Sequence, residues 1–218
     1  MSLILVYATA LLVGSMHALE PDHVAAVTSF AVRKPRRWEA VRYGARWALG
    51  HGAALIAVGT AALLIGLQLP AGATQWLERA VGLLLIGLGS WTIWGARRLH
   101  AHAHAHANGT VHAHVHSHAI VHDHDHRHGA TAVGLLHGLA GAAPAVALVP
   151  IASLQTAGPG ILYLVLFAVG TAGGMVLYAL LAGWVVGRAA TRSGNLARIL
   201  AIATGGVTTA VGLIWLAR

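Results

Sequence analysis

Apolar residues along this chain fall into six long runs separated by short polar connections. Each run has about 20 residues or more, the length that a helix needs to cross a hydrocarbon core of roughly 30 Å. The pattern predicts six membrane-spanning helices, at 3–32, 43–67, 76–96, 130–153, 159–187 and 196–217. Because the first run lacks a preceding positive segment and a clear cleavage site, we interpret it as a span and not as a removable signal peptide.

Composition supports a membrane protein and sets its orientation. Hydrophobic residues make up 57% of the 218-residue chain and charged residues 9%, against about 25% charged residues in soluble domains. All Lys and Arg residues except Arg79 and Arg218 lie in or beside the first, third and fifth connections. Since cytoplasmic loops carry the positive excess, both termini are expected outside, in an inner (plasma) membrane of bacterial type. The net charge of +8 is therefore not a sign of nucleic-acid binding.

Two parts of the chain resemble each other weakly. Residues 14–19 of the first span align with 134–139 of the fourth, and residues 48–51 of the second span align with 168–171 of the fifth. The first span starts outside and the fourth inside, so the halves have opposite topology, an arrangement typical of transporters. The fold class expected is an all-α, polytopic transmembrane helix bundle with a 3+3 inverted repeat. Its parts are a first membrane repeat at 1–96, a cytoplasmic His-rich loop at 97–129 and a second membrane repeat at 130–218.

The first span contains four ionisable residues, His17, Glu20, Asp22 and His23, around Pro21. Ionisable groups at membrane depth are costly and normally face a cavity or a partner, so they indicate a functional site. In an unbroken helix, His17 and His23 would point well apart. Pro21 cannot donate to the carbonyl of His17 and its ring clashes there, so we expect the helix to kink or break between His17 and Asp22. A break would free carbonyls at a helix end, whose dipole suits a cation, and would let the side chains converge.

Two more histidines, His51 and His137, lie inside the second and fourth spans at a similar depth. Glu20 and Thr171, the repeat counterpart of His51, are weaker candidates for binding or gating. Imidazole with carboxylate suits nickel, cobalt, zinc or copper(II), whereas magnesium and calcium prefer all-oxygen shells. The chain has no cysteine, which excludes disulfides and thiolate sites. The metal-site residues predicted from the sequence are His17, Asp22, His23, His51 and His137.

Most of the 16 histidines lie in the loop between the two halves. There they alternate with small or acidic residues, a metal-binding composition that cannot form a packed core. We expect this loop to act in capture, storage or regulation and not to form the pathway. The loop residues predicted to bind metal are His100, His102, His104, His106, His112, His114, His116, His118, His122, His124, His126 and His128.

The string His-x4-Asp-His at residues 17–23 resembles the signature of nickel/cobalt transporters of the NiCoT/NicO class, and residues 17–24 are similar to the urease accessory nickel permeases. Residues 49–52 and 137–141 are also similar to segments of that family. The resemblance implies a nickel or cobalt permease in which His17, Asp22, His23 and His51 recognise the metal. It also implies cytoplasmic partners, namely a metallochaperone or the maturation proteins of urease or hydrogenase. The chain departs from the NiCoT signature at Glu20-Pro21, and its long loop is more similar to that of nickel/cobalt efflux proteins.

We expect a permease and not an enzyme, with Ni²⁺ or Co²⁺ as substrate, Zn²⁺ as a further candidate and no catalytic cofactor. An interior-negative potential favours uptake of a divalent cation by about 4.6 kcal/mol per 100 mV, so uptake is slightly favoured. Efflux by the same family, through proton exchange, is the first alternative. A membrane zinc-dependent hydrolase would need an activated water and a base, and no His-Glu-x-x-His motif occurs. A membrane-anchored metal buffer or sensor would lose its function on deletion of 100–128, whereas a permease would keep residual transport.

Metal retention by the His-rich loop should weaken as the pH falls, because protons compete with the metal for imidazoles whose ordinary pKa is about 6.5. Equilibrium dialysis of Ni²⁺ against the full chain should show several loop-bound ions at about pH 7.5 and few at about pH 5.5. A variant lacking 100–128 is the control, since it should lose most of this pH-dependent fraction. Equal binding by the two proteins at the higher pH would refute a metal-binding loop.

Overall fold

The computed structural model describes residues 3–33, 37–65, 71–97, 99–105, 111–117, 129–140 and 157–217. Within these ranges there are seven helices: α1 Leu3–His17, α2 Pro21–Arg33, α3 Arg37–Ile65, α4 Ala71–Ala96, α5 Gly129–Ala140, α6 Ala157–Arg192 and α7 Gly194–Leu216. Two strands, β1 Leu99–Ala105 and β2 Val111–Ser117, lie between α4 and α5 in the chain. The predicted all-α membrane bundle is confirmed.

Helices α3, α4, α6 and α7 are each long and apolar enough to cross a membrane, and many large apolar side chains on their surfaces are exposed, as expected of helices that face lipid. The helix pair α1 and α2 forms a fifth apolar segment, bent by 55° at a short break. The predicted first span is therefore a broken one. Of the predicted fourth span at 130–153, α5 covers the first part, and residues 141–156 lie outside the described residues.

Several helices extend further than the apolar runs predicted. Helix α3 begins at Arg37, where the prediction began at 43, and α6 continues to Arg192, beyond the predicted end at 187. The added turns are rich in arginine and their backbone is still helical, because a helix does not need to end where the hydrocarbon ends. Hydropathy therefore marked the membrane-embedded part of each helix and not the whole helix.

Packing between the helices repeats at an offset of 120 residues. A Cβ atom at Gly14 would clash with the carbonyl of Phe167, and one at Gly134 would clash with the carbonyl of Trp47. Gly14 and Gly134 are 120 residues apart, and so are Trp47 and Phe167, so the two contacts are equivalent. The contact of Gly50 with Thr131 and that of Gly170 with Leu11 form a second related pair. The α1–α6 packing is therefore equivalent to the α5–α3 packing, as an internal repeat requires.

The equivalent helices of the two halves run in opposite directions. Gly44 of α3 packs against Ala179 of α6, while Gly59, later in α3, packs against Leu164, earlier in α6. Helices α3 and α6 are therefore antiparallel, and the same offset relates these two contacts. An antiparallel relation between equivalent spans is what the predicted inverted repeat demands. Helices α4 and α7 pack against each other beside this pair.

The His-rich loop contains a hairpin that the sequence analysis did not predict. Strands β1 and β2 pair antiparallel, with His100 opposite His116, His102 opposite His114 and His104 opposite His112. Residues two apart share a side of a strand, so these six positions fall on one side of the hairpin. The signal was present in the sequence, because histidine alternates there with small residues at the strand period and Asn-Gly at 108–109 is a hairpin-turn dipeptide.

Substituting either glycine of a repeat-related contact should destabilise the bundle. Gly14→Ala and Gly134→Ala each place a methyl group against the backbone of a neighbouring helix, and overpacking of this kind costs about 1–3 kcal/mol. Thermal unfolding in detergent, followed by tryptophan fluorescence, should show a lowered midpoint for both variants. Gly173→Ala is the control, because a Cβ there meets no atom within 4 Å. Equal midpoints for all three variants would contradict the close helix approach.

Candidate metal site

The break between α1 and α2 follows from Pro21. Helix α1 ends at His17 and α2 begins at Pro21, a position where proline is favoured because its missing N–H would have no helical partner. The carbonyl of His17 accepts the N–H of Glu20 at 3.0 Å, in place of the bond that residue 21 would donate in a continuous helix. The predicted break between His17 and Asp22 is present, and the bend brings His23 back toward His17.

Each histidine at the break is paired with a carboxylate. The Nδ1 atom of His17 is 2.8 Å from Oε1 of Glu20, and Nδ1 of His23 is 3.0 Å from Oδ1 of Asp22. A carboxylate that accepts the Nδ1 proton leaves the lone pair on Nε2 available, which is the usual way in which proteins orient a metal-binding histidine. The Nε2 atom of His23 is buried and has no hydrogen-bond partner among the described residues.

Three histidines converge next to the break. The Nε2 atoms of His17 and His51 are 3.3 Å apart, and His17, His23 and His51 can each offer a ligand atom within 4.8 Å of the others. All three side chains are buried, with relative exposures of 7%, 2% and 1%. Two Nε2 atoms so close face each other either as donor and acceptor or as two ligands of one cation. Helix α3 contributes His51, and the break contributes the other two residues.

His137 lies beside this group without joining it. Its ring centroid is 5.8 Å from that of His23, it is 2% exposed, and its Nε2 atom has no partner among the described residues. Its Nδ1 atom is 3.2 Å from the carbonyl of Val133. The structure therefore brings His137 to the edge of the site, where it neighbours the ligand group.

Two aromatic residues that the sequence analysis did not single out enclose the histidines. Trp47 packs against His23 and His137 at centroid distances of 5.0 and 5.1 Å, and Phe167 packs against His17 at 5.5 Å. Trp47 and Phe167 are repeat equivalents, and Trp47 lies one helical turn before His51. That spacing on a helix face was the signal that could have identified Trp47.

The remaining predicted residues lie in other settings. Thr171 is buried and its hydroxyl donates to the carbonyl of Phe167 at 3.0 Å, so it packs near the site without belonging to the three-histidine group. Of the loop histidines, six are in the hairpin strands. The others lie outside the described residues: His106, His118, His122, His124, His126 and His128.

A second set of ligand atoms adjoins the first. Glu20, Asp22 and His23 also offer ligand atoms within 4.8 Å of one another, and His23 belongs to both sets. Asp22 is buried at 3% exposure, and it lies in the first turn of α2, where the helix dipole favours a negative charge. Glu20 is half exposed. Three imidazoles and two carboxylates suit a divalent transition-metal ion. Copper(I) prefers thiolate or thioether ligands, which these two sets do not contain.

A bundle of apolar helices with an inverted repeat defines an integral membrane protein, and this one has a buried histidine cluster at a helix break. The family model described as the cytochrome c biogenesis protein transmembrane region matches residues 7–207. The chain therefore belongs to that family of membrane domains. The family's description names no metal, so it does not decide among the functions considered above.

One curated relative is the urease accessory protein UreH of Bacillus sp. (strain TB-90), with 26% identity over 135 residues. The aligned region covers 62% of this chain and 58% of the relative, so the match spans little more than half of that protein. No solved structure gives a significant match.

Removing one of the three converging histidines should abolish tight metal binding. The test uses full-length protein in detergent whose twelve loop histidines are replaced by asparagine, so that only the membrane site can bind. His51→Ala should weaken equilibrium Co²⁺ binding by more than the roughly 10–100-fold expected for loss of an outer-shell partner. His137→Ala is the matched control and should weaken it by less. If both variants lost the same Co²⁺ affinity, His51 would not differ from His137 and the proposed ligand set would be wrong.

Proposed function

We propose that this protein is a membrane permease for divalent transition-metal ions, Ni²⁺ or Co²⁺, which bind at His17, Asp22, His23 and His51. One observation carries the proposal: three buried imidazoles, oriented in two cases by carboxylates, converge where a membrane-embedded helix is broken. Broken helices that present an ion site between inverted repeats are a recurring transporter design. The broken helix is apolar enough to cross a membrane, which would place this site at a depth where a transported ion must leave its hydration shell.

The ligand chemistry and the sequence resemblances favour nickel or cobalt. Imidazole with carboxylate suits these ions and also zinc. The similarity of residues 17–24 to the urease accessory nickel permeases, together with the relative named as a urease accessory protein, favours nickel. A metallochaperone or a urease or hydrogenase maturation protein would then receive the ion in the cytoplasm.

The membrane potential is the simplest driving force for such a permease. No nucleotide-binding loop occurs in the sequence, and an interior-negative potential favours inward movement of a divalent cation by about 4.6 kcal/mol per 100 mV. Uptake is therefore the proposed direction. In the predicted orientation the His-rich loop is cytoplasmic, where it would take up ions released from the membrane site and slow their return.

Flux through proteoliposomes tests this proposal. Purified protein is reconstituted, an inside-negative potential is imposed, and initial uptake of Ni²⁺, Co²⁺ and Zn²⁺ is measured. His17→Ala and Asp22→Asn should reduce uptake at least about tenfold, because each removes a ligand or the group that orients one. Glu78→Gln is the control: it also removes a carboxylate, and Glu78 belongs to neither ligand set.

Deleting 100–128 should leave residual uptake, because the loop is not the pathway. Loss of all flux on loop deletion would favour a metal buffer or sensor instead. Flux that requires an outward-directed ion load and an opposing proton gradient would reverse the direction and make this an exporter. If the two site variants transport as fast as the parent, the ion does not pass through these histidines.

A further inference from the structure

Glu20 differs from the other ionisable residues at the break. The side chains of His17, Asp22 and His23 are almost fully buried, whereas that of Glu20 is 50% exposed. A carboxylate at membrane depth is stable only where it meets water or a partner. Within the described part of the chain Glu20 contacts the Nδ1 atom of His17 at 2.8 Å, so the exposed half of the carboxylate would need water at this depth.

The two sets of ligand atoms differ in charge and in burial. The set formed by Glu20, Asp22 and His23, here called the outer position, contains two carboxylates and reaches the exposed side. The set formed by His17, His23 and His51, here called the inner position, contains three buried imidazoles and no carboxylate. A hydrated divalent cation is attracted to paired carboxylates by charge alone, whereas a shell of imidazoles selects transition metals.

His23 belongs to both sets, and its two ring nitrogens have different surroundings. Nδ1 is 3.0 Å from Asp22, and the buried Nε2 has no partner among the described residues. A neutral imidazole carries one ring proton, so only one nitrogen at a time can bind an ion while the other keeps the proton. The outer and inner positions therefore exclude each other and can share a single ion.

We propose that the ion binds first at the outer position and then passes to the inner position, with His23 as the ligand common to both. This proposal rests on the proposed function and adds an order of events to it. In the first step the carboxylates of Glu20 and Asp22 replace part of the hydration shell. In the second step the ion moves to the three imidazoles, while His23 releases its Nε2 proton to water and takes up one proton on Nδ1, so that the ring stays neutral. The carboxylates then again accept the Nδ1 protons of His17 and His23, and no net proton is transferred. The carboxylates are thus ligands in one position and orienting groups in the other.

Selectivity follows from this order. Mg²⁺ and Ca²⁺ prefer oxygen ligands, so they can occupy the outer position but cannot replace their oxygen shell with three imidazoles. Ni²⁺ and Co²⁺ accept imidazole readily and proceed inward. A competing alternative gives Glu20 only a positioning role, in which it fixes the ring of His17 and never contacts the ion.

Rapid-mixing measurements separate these roles. The full-length protein with its twelve loop histidines replaced by asparagine is mixed with Co²⁺, and the visible absorption of the bound ion is followed. In Glu20→Gln the amide oxygen can still accept the Nδ1 proton of His17, but the charge is gone. We expect loading to slow about tenfold or more, as for loss of electrostatic steering, with an unchanged final spectrum and an affinity within about twofold. Glu78→Gln should load like the parent.

A second variant isolates the outer position. In His51→Ala the inner position is incomplete, so Co²⁺ should still bind, more weakly, with a changed spectrum and rapid removal by EDTA. The double variant Glu20→Gln/His51→Ala should bind no Co²⁺, and size-exclusion profiles matching the parent show that each variant is folded. In the parent, excess Mg²⁺ should slow Co²⁺ loading without displacing ion already bound.

Two results would overturn the sequence of positions. One is a Glu20→Gln protein that loads at the parent rate but holds Co²⁺ more weakly, which is the signature of a positioning residue. The other is a folded His51→Ala protein that binds no Co²⁺. Failure of the permease proposal would look different. Both positions would then bind Co²⁺ as described, but vesicles containing the protein would show no metal flux.

Discussion

The missing N–H of Pro21 is the constraint on which the site depends. In a continuous helix His17 and His23 would face different directions, and their carboxylate neighbours would be spread around the helix surface. Because the carbonyl of His17 instead accepts the N–H of Glu20, the helix ends there and restarts with a bend of 55°. That one change turns both imidazoles toward His51 and places a carboxylate behind each ring. The close approaches of α1 to α6 and of α5 to α3 then hold the bent segment inside the bundle.

The scaffold is nearly symmetric and its chemistry is not. His17 packs against Phe167 and its repeat counterpart His137 packs against Trp47, at centroid distances of 5.5 and 5.1 Å. The sequence positions equivalent to Glu20–His23, however, hold only alanine and glycine, at 140–143. Among the described residues, both ligand sets belong to the first half, while His137 and Phe167 of the second half pack against them. In a transporter whose halves rock against each other, such a site would keep its ligands while the enclosing half moves.

Much of this arrangement was predictable from sequence because membrane chemistry leaves few choices. Charged and imidazole side chains are rare in apolar runs, so their presence predicted the position of the site. The missing backbone N–H of Pro21 predicted the position of the helix break. The hairpin in the His-rich loop was missed because composition suggested an unpacked tract, although the period-two alternation was visible. Trp47 was missed because a tryptophan in a membrane helix is an ordinary packing residue. Only the fold shows that it lies against His23, since the contact joins α3 to the helix break.

The unpartnered nitrogens of the cluster fit the proposal that its histidines bind a metal ion. The Nε2 atoms of His23 and His137 and the Nδ1 atom of His51 are buried with no hydrogen-bond partner among the described residues. Leaving a buried polar atom unsatisfied costs about 1–3 kcal/mol, so a bundle shaped for stability alone would carry apolar side chains here. The bundle nevertheless keeps these imidazoles, and carboxylates pair with the rings of His17 and His23. Under the proposed function, a cation bound in the cluster would supply the missing partner, and relief of this cost would contribute to the free energy of ion binding.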